Sequence, residues 1–265
     1  MGGRVVKRLV WWLAGLVYLL LHLPVLVLVV FSFNASKYSV SWTGFTLDWY
    51  RRLAEREDLW RGLRISLLVG GISTLLATLF GTLLALGLAR WRFAGRRALE
   101  GLLYLPIVTP EIVAGISLLV LFVAVGVPLG LGSITIAHVA FNIAFVAVVV
   151  RARLTGMDQS LEEAAMTLGA DELAAFRTVT VPLLWPGILA GALLAFTMSF
   201  DDYVITSLVA GTGSSTLPIV VYSMVRRNVE PTVNAISTLI LVGTSLVIWL
   251  ANRLLRERPL TTARG

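Results

Sequence analysis

Two adjacent carboxylates, Asp201 and Asp202, close an apolar run in AFTMSFDDYVITSLVAG, residues 195–211. A third, Glu111, follows Thr109-Pro110 inside another apolar segment. A carboxylate in such a segment costs about 2.5–3.5 kcal/mol on membrane-insertion scales, so it normally faces a cavity or a partner. The chemistry open to these groups is cation binding, and aromatic faces such as Trp49, Tyr203 or Tyr222 can add cation–π attraction. Plainer uses compete. Either aspartate can cap the helix that follows or pair with Arg226 or Arg227. Glu111 can sit protonated or hydrogen-bonded at a helix start, where the dipole favours an acid.

The elements that position these groups follow from composition. The chain has 265 residues, 57% of them hydrophobic and 14% charged, with a mean hydropathy of +0.87. Ordinary soluble domains carry about 25% charged residues, so lipid is the expected solvent for most of this chain. An apolar helix of about 20 residues crosses a bilayer core. Six stretches approach that length, at about 9–33, 65–89, 102–125, 134–150, 183–200 and 235–250. The first is too long for the apolar region of a signal peptide, and Pro24 predicts a kink in it that neighbouring helices tolerate. Pro110 breaks the pattern of the third and can start a second half-helix. The chain therefore reads as an all-α membrane protein, one transmembrane domain over residues 1–265.

Lys and Arg set the orientation. With both termini in the cytoplasm, 14 of the 22 basic residues fall on the inner side, as the positive-inside rule expects. Six of the other eight lie in residues 34–64, mixed with Glu55, Glu57 and Asp58. That mixture predicts an amphipathic helix at the outer surface, with Trp42, Trp49 and Trp60 at the interface. The same clustering around apolar runs argues against nucleic acid as the partner of a +7 chain. Cysteine is absent, which excludes disulfides and thiolate sites. His22 and His138 stand alone in apolar spans and read as packing or hydrogen-bonding residues. Asn142 reads as an interhelical hydrogen bond. No Ser lies at a recognisable spacing from a His base. After Asp202, Gly211, Gly213 and Pro218 interrupt the apolar pattern, which fits a re-entrant or partly buried segment.

Residues 151–182 hold more than two spans need. Ser160 and Glu163 fit a capping box. Leu161, Ala164, Ala165 and Leu168 form a stripe at helical spacing, Gly169 can stop that helix, and Asp171 can cap a second, short one through about Thr178. The small-residue face suits docking into another protein, or resting on the membrane or the bundle. Within this loop, EAAMTLGADELAAFRTVTVP resembles the EAA loop of inner-membrane permeases of ABC importers. Glu163, Ala164, Ala165, Gly169 and Pro182 hold the pattern's positions, while Val179 and Val181 stand where Ile and Leu are usual. The resemblance implies the type I ABC importer permease fold with six transmembrane helices. It also implies that the loop is a coupling helix seated on an ATPase. The chain has no G-x-x-x-x-G-K-[ST] of its own, so ATP and Mg would belong to a separate subunit.

TPEIVAGISLLVLFVAVGV, SFDDYVITSLVAG and LPIVVYSMVRRNVEPTVNAISTLI extend the resemblance to permeases of spermidine/putrescine ABC importers, of the PotC/PotI type. It implies a polyamine cargo, and the residues expected on its path are Asp201, Asp202, Glu111, Ser199, Tyr222 and Trp49. The family usually has Asp at the Glu111 position, one methylene shorter. Two adjacent acids at the mouth of a path would attract a polycation without trapping it. The implied partners are a second permease in a heterodimer, two ATPase copies, an extracytoplasmic binding protein and the lipid bilayer, in a bacterial inner membrane. Relatives of the family that carry ferric iron, opines or phosphonates are the nearest alternatives. An ion-coupled carrier is a further one, against which the EAA loop argues.

Overall fold

The computed structural model describes residues 2–37, 41–158, 160–227 and 231–256, which are almost wholly helical. They fall into two compact units, residues 1–59 with 221–265, and residues 60–220.

In the first unit, α1 (Gly2–Phe31) and α2 (Asp48–Ala54) both pack against α12 (Pro231–Arg256). α1 is apolar all round and almost wholly exposed, which suits lipid rather than water. Between α1 and α2 the chain is knotted on Asn34, which is fully buried. Its side chain donates to the Ser41 carbonyl at 2.7 Å and accepts from the Thr43 N–H at 2.9 Å. Its own carbonyl accepts the Trp49 indole N–H at 2.7 Å. Trp42 and Trp60 are exposed, as an interfacial role requires, but Trp49 is only 7% exposed. The knot needs its indole N–H more than the surface does.

The amphipathic surface helix expected from RRLAEREDLWRGLR is two pieces. α2 ends at Ala54, and α3 (Glu57–Arg90) begins three residues later and runs on into the second span. An ion pair of Arg56 with Asp58, at 2.6 Å, marks the break.

The second unit holds most of α3, with α4 (Arg96–Val108), α5 (Glu111–Ala124), α6 (Leu131–Thr155), α7 (Ser160–Thr167), α8 (Glu172–Ala175), α9 (Val181–Asp201) and α10 (Val204–Val209), and the start of α11 (Leu217–Arg227). The expected third span is not one straight helix, because α4 and α5 meet at 112°. Thr109 is extended (ψ 129°), as a residue before proline tends to be, and Pro110 follows at φ −56°, ψ 134°. The expected fifth span is longer than its apolar stretch. α8, a π-helical turn at Phe176–Thr180 and α9 form one run of 30 residues, Glu172–Asp201. Pro182 does not end it. It sits in the first turn of α9, just after the wider π turn, where a missing N–H is least costly.

Among the described residues, four helices are long and apolar enough to cross a membrane, and the bent α4–α5 pair makes a fifth if it counts as one span. The sixth expected span lies in α12, whose apolar part is described over Pro231–Leu246.

The core of the second unit forms where α6 meets α9, its most extensive helix pair. Val146 is fully buried there. A Cβ on Gly81 of α3 would stand 2.7 Å from the Val146 Cβ and 2.9 Å from the Ile143 carbonyl oxygen; one on Gly191 of α9 would meet Val146 at 3.3 Å. Small residues at such crossings let backbones approach. Gly81→Leu is therefore expected to destabilise the protein by about 3 kcal/mol through overpacking, read as a lower Tm in detergent. Adding Val146→Ala is expected to recover part of that loss, since the two side chains compete for one space.

Candidate functional site

α9 ends at Asp201, and Asp202 turns the chain into the extended region (φ −66°, ψ 123°). The Asp202 carboxylate accepts the Thr206 N–H at 2.7 Å, the Thr206 hydroxyl at 2.5 Å and the Ile205 N–H at 3.3 Å. It thereby holds the first turn of α10, as an acid at a helix start does. On its other side lies His138 of α6, 2% exposed, with Nε2 at 3.2 Å from the same carboxylate oxygen and 2.9 Å from the Thr206 Oγ1. The Nδ1 of His138 is 2.6 Å from the Ser199 hydroxyl, which is 2.8 Å from the hydroxyl of Ser73 on α3.

Counting protons orders this chain. Thr206 spends its one hydrogen on Asp202, so it accepts the N–H of His138 Nε2. In the neutral ring Nδ1 is then the acceptor and Ser199 the donor, which leaves Ser199 to accept from Ser73, whose hydroxyl also lies 3.3 Å from the Gly70 carbonyl. Five side chains on α3, α6, α9, α10 and the α9–α10 link are thus joined in one directed network.

Ser199, His138 and Asp202 have the order of a hydrolytic triad, but the arrangement works as a clasp. Ser199 is 5% exposed, its hydroxyl is bonded on both sides, and it lies within α9, where its N–H belongs to the helix. A nucleophile needs a reachable oxygen beside free oxyanion donors.

His138, Ser199 and Asp202 of the clasp line a cleft of about 320 Å³. Glu111, Ser199, Asp201 and Asp202 all line it, so four of the six residues expected on a substrate path come together. Glu111 opens α5 directly after the Pro110 bend. Glu111 and Asp201 are exposed while Asp202 is turned inward. Tyr203, an aromatic candidate, also lines the cleft. Trp49 and Tyr222 belong to the other unit. Tyr222 is exposed, whereas the Trp49 ring already carries the Arg52 guanidinium 5.1 Å from its centroid. Asn142 lines the cleft but makes no interhelical hydrogen bond among the described residues; its Oδ1 is buried without a partner. His138, Ser73 and Thr206 were not singled out by sequence reasoning as site residues. The only local signal was a polar pair, His138 and Asn142, one turn apart on an apolar helix.

A second feature lies around α7. The helix stops as its sequence predicts: Gly169 has φ +99°, its N–H bonds the Met166 carbonyl at 3.0 Å, and the Ala170 N–H bonds that of Ala165 at 3.1 Å. This is the Schellman arrangement. At its start, Asp158 accepts the Ser160 N–H at 2.9 Å, so Ser160 opens the helix instead of capping it. Asp171 caps α8 by accepting the Ala174 N–H at 2.6 Å. No side chain of α7 is buried, and Leu168 beside its end is 90% exposed.

What ties α7 to the bundle is Glu162, whose carboxylate accepts from Arg90, the last residue of α3, and from Thr180 in the π turn. Arg90 also lies over the Phe176 ring, 5.1 Å from its centroid. Nearby, Glu100 of α4 accepts from Arg96 at 3.0 Å and from Arg151 of α6 at 2.9 Å.

The family described as "Binding-protein-dependent transport system inner membrane component" matches residues 77–258, a range that holds the cleft, α7 and every clasp residue but Ser73. The chain belongs to this family. Among curated relatives of this transport component, the spermidine/putrescine transport system permease protein PotC of Shigella flexneri is 41% identical, over 94% of each chain. The putrescine transport system permease protein PotI of Escherichia coli K12 is 42% identical, over 92% of this chain and 89% of the relative. The fold is that of type I ABC importer permeases. The crystal structure of a bacterial ABC transporter involved in the import of the acidic polysaccharide alginate superposes with a TM-score of 0.73 at 17% identity, over 96% of this chain and 97% of that one. The inward facing MetNI methionine ABC transporter gives a TM-score of 0.61 at 19% identity, over 80% and 99%. This inner membrane component thus shares its helix arrangement with transporters of alginate and of methionine.

The Glu162 tie makes a pH prediction for the transport component. Burial raises the Glu162 carboxyl, but the Thr180 hydroxyl and the Arg90 guanidinium outweigh it and hold the group below its ordinary value of 4.5. A depressed carboxylate stabilises the folded state fully above the ordinary value and stops doing so as pH falls through the lowered one. Amide protection of α7, corrected for intrinsic exchange, is expected to be steady above pH 4.5 and to fall below it. Glu162→Gln is expected to show the weakened protection already at pH 7.

Proposed function

We propose that this chain is one permease subunit of an ATP-driven importer for spermidine or putrescine and supplies half of its translocation path. The observation that carries the reading is the meeting of two exposed carboxylates, Glu111 and Asp201, over a third, Asp202, in one cleft of about 320 Å³. That volume is within the roughly 300–1,000 Å³ of small-molecule sites. A linear polyamine carries ammonium groups separated by methylenes. Separated carboxylates on α5 and α9 suit separated charges, and the apolar walls suit the methylenes between them. An acidic or neutral cargo gains nothing from three acids. The 41% identity to a spermidine/putrescine permease supports the same cargo.

The chain works with a second permease, two copies of a cytoplasmic ATPase and an extracytoplasmic binding protein. Both termini face the cytoplasm, in keeping with the distribution of Lys and Arg. ATP and Mg are held by the ATPase, which seats α7 in a cleft of its own. The exposed Leu161 and Leu168 and the small Ala164 and Ala165 supply that contact. Closure of the ATPases moves α7. Glu162 passes the movement to Arg90 on α3 and Thr180 on the α9 run, and α9 carries it to the carboxylates at its far end. The path alternates between inward-open and outward-open access as the two permeases rock.

Two measurements test this. The assembled complex in proteoliposomes, with ATP at the ATPase face, is expected to take up labelled spermidine or putrescine. Glu111→Gln and Asp201→Asn are each expected to lower uptake about tenfold, the scale of one lost charge-assisted contact, with the ATPase still bound. An ATP-hydrolysing complex that moves neither polyamine would redirect the cargo to ferric iron or an opine. In the second measurement the ATPase is expected to co-purify with the wild type and to be lost from Glu163→Lys and from Gly169→Asp, whose left-handed φ costs a non-glycine residue about 1–2 kcal/mol. Its retention in both would overturn the docking role of α7.

A further inference from the structure

His138, Asn142, Val146 and Val150 succeed one another at four-residue spacing and so lie along one face of α6. The first is fully engaged by the clasp. The last two are completely buried, and Val146 is closed in by Gly81 and Gly191. Asn142 sits between them, one turn below His138 toward the α7 end, and is the last polar side chain on this face before the apolar seal. It is 1% exposed, its carboxamide oxygen is buried without a hydrogen-bond partner among the described residues, and the residue lines the cleft. Buried amides are almost always paired, since an unmade bond in a low-dielectric interior carries the full desolvation penalty. An amide buried, unpaired and facing a cleft is a group whose partner arrives from the cleft.

We propose that Asn142 is the inner ligand of this cleft, its carboxamide oxygen accepting an N–H of the leading ammonium of a linear cationic substrate. The assignment rests on the polyamine reading above and adds a specific residue to it. The outer groups, Glu111 and Asp201, are charged and exposed, so they attract and hold a cation at the mouth. Asp202 is engaged by Thr206 and His138; a further full charge at the depth of Asn142, with less water to screen it, would bind the leading ammonium tightly and release it slowly. A neutral carbonyl oxygen satisfies the ammonium's N–H groups without forming such a well. The cleft then grades from charged acceptors at its mouth to a neutral one at Asn142, one helical turn from the buried Val146 on the same face of α6.

The test uses the assembled complex, with labelled spermidine as the probe. Affinity is measured by equilibrium dialysis of the complex in nanodiscs, and turnover by ATP-driven uptake in proteoliposomes. Asn142→Leu, close in shape but without an acceptor, is expected to weaken spermidine binding about tenfold. Asn142→Asp is expected to tighten binding and slow turnover. These opposed signs are what a packing role would not produce. If Asn142→Leu fails to assemble, the near-isosteric Asn142→Asp alone decides. Wild-type binding and uptake with both variants within twofold in affinity would overturn the role of Asn142 and leave the polyamine reading standing. So would a loss of turnover in both variants without opposed shifts in affinity. A wild-type complex that hydrolyses ATP but neither binds nor moves spermidine would overturn the polyamine reading and this inference together.

Discussion

The closeness of α3 and α9 to α6 at Val146 is the constraint on which the second unit depends. With Gly81 on one side and Gly191 on the other, the valine fills its crossing with no room for another carbon. Hydrophobic burial has no driving force between helices already in lipid, so van der Waals fit has to hold such a bundle. On one side of Val146 along this face of α6 stand His138 and Asn142, and on the other Val150 continues the packing until Arg151 and Arg153.

The doublet of aspartates divides its work. Asp202 is consumed by the structure: it holds the start of α10, accepts from Thr206 and faces His138. Asp201, next in the chain but at the last position of α9, remains exposed. Of the two acids that end this greasy helix, one is held inside and one is left outside. Glu111 reaches the same cleft from α5 only because the chain turns through 112° after α4. A straight third span would have carried it elsewhere. The site is built from two interruptions, at Pro110 and at Asp202, in helices that are otherwise continuous.

Local rules made much of this readable in advance. Gly169 stops α7 and Asp171 caps α8 because both devices act within a few residues, and Pro110 signalled the break that frees Glu111. The acidic doublet was conspicuous for its cost in an apolar run. Contacts between distant residues were not readable. Ser73, His138 and Ser199 lie in three separate helices, and nothing in their own neighbourhoods marks them as partners. Trp49 looked like an interfacial aromatic because its neighbours are charged, yet the Asn34 knot takes its indole inward. Asn142 looked like an interhelical bond because asparagine in a membrane helix usually makes one; only the packed structure reveals that it does not. The run Glu172–Asp201 looked like two elements because Pro182 reads as a boundary, and the π turn before it removes that reason to stop.

That π turn has a consequence for how the chain tolerates change in length. A π turn accommodates about one residue more than an α turn, and each residue of an α-helix advances the side chains by about 100° (a full circle over 3.6). Deleting one residue within 176–180 would convert the turn to ordinary helix and leave both flanking segments in phase, with Asp201 still aimed as before. The same deletion anywhere along Val181–Phe200 would swing everything beyond it by about a third of a circle. Length variation in this helix is therefore confined to a single turn, at the end remote from the carboxylates.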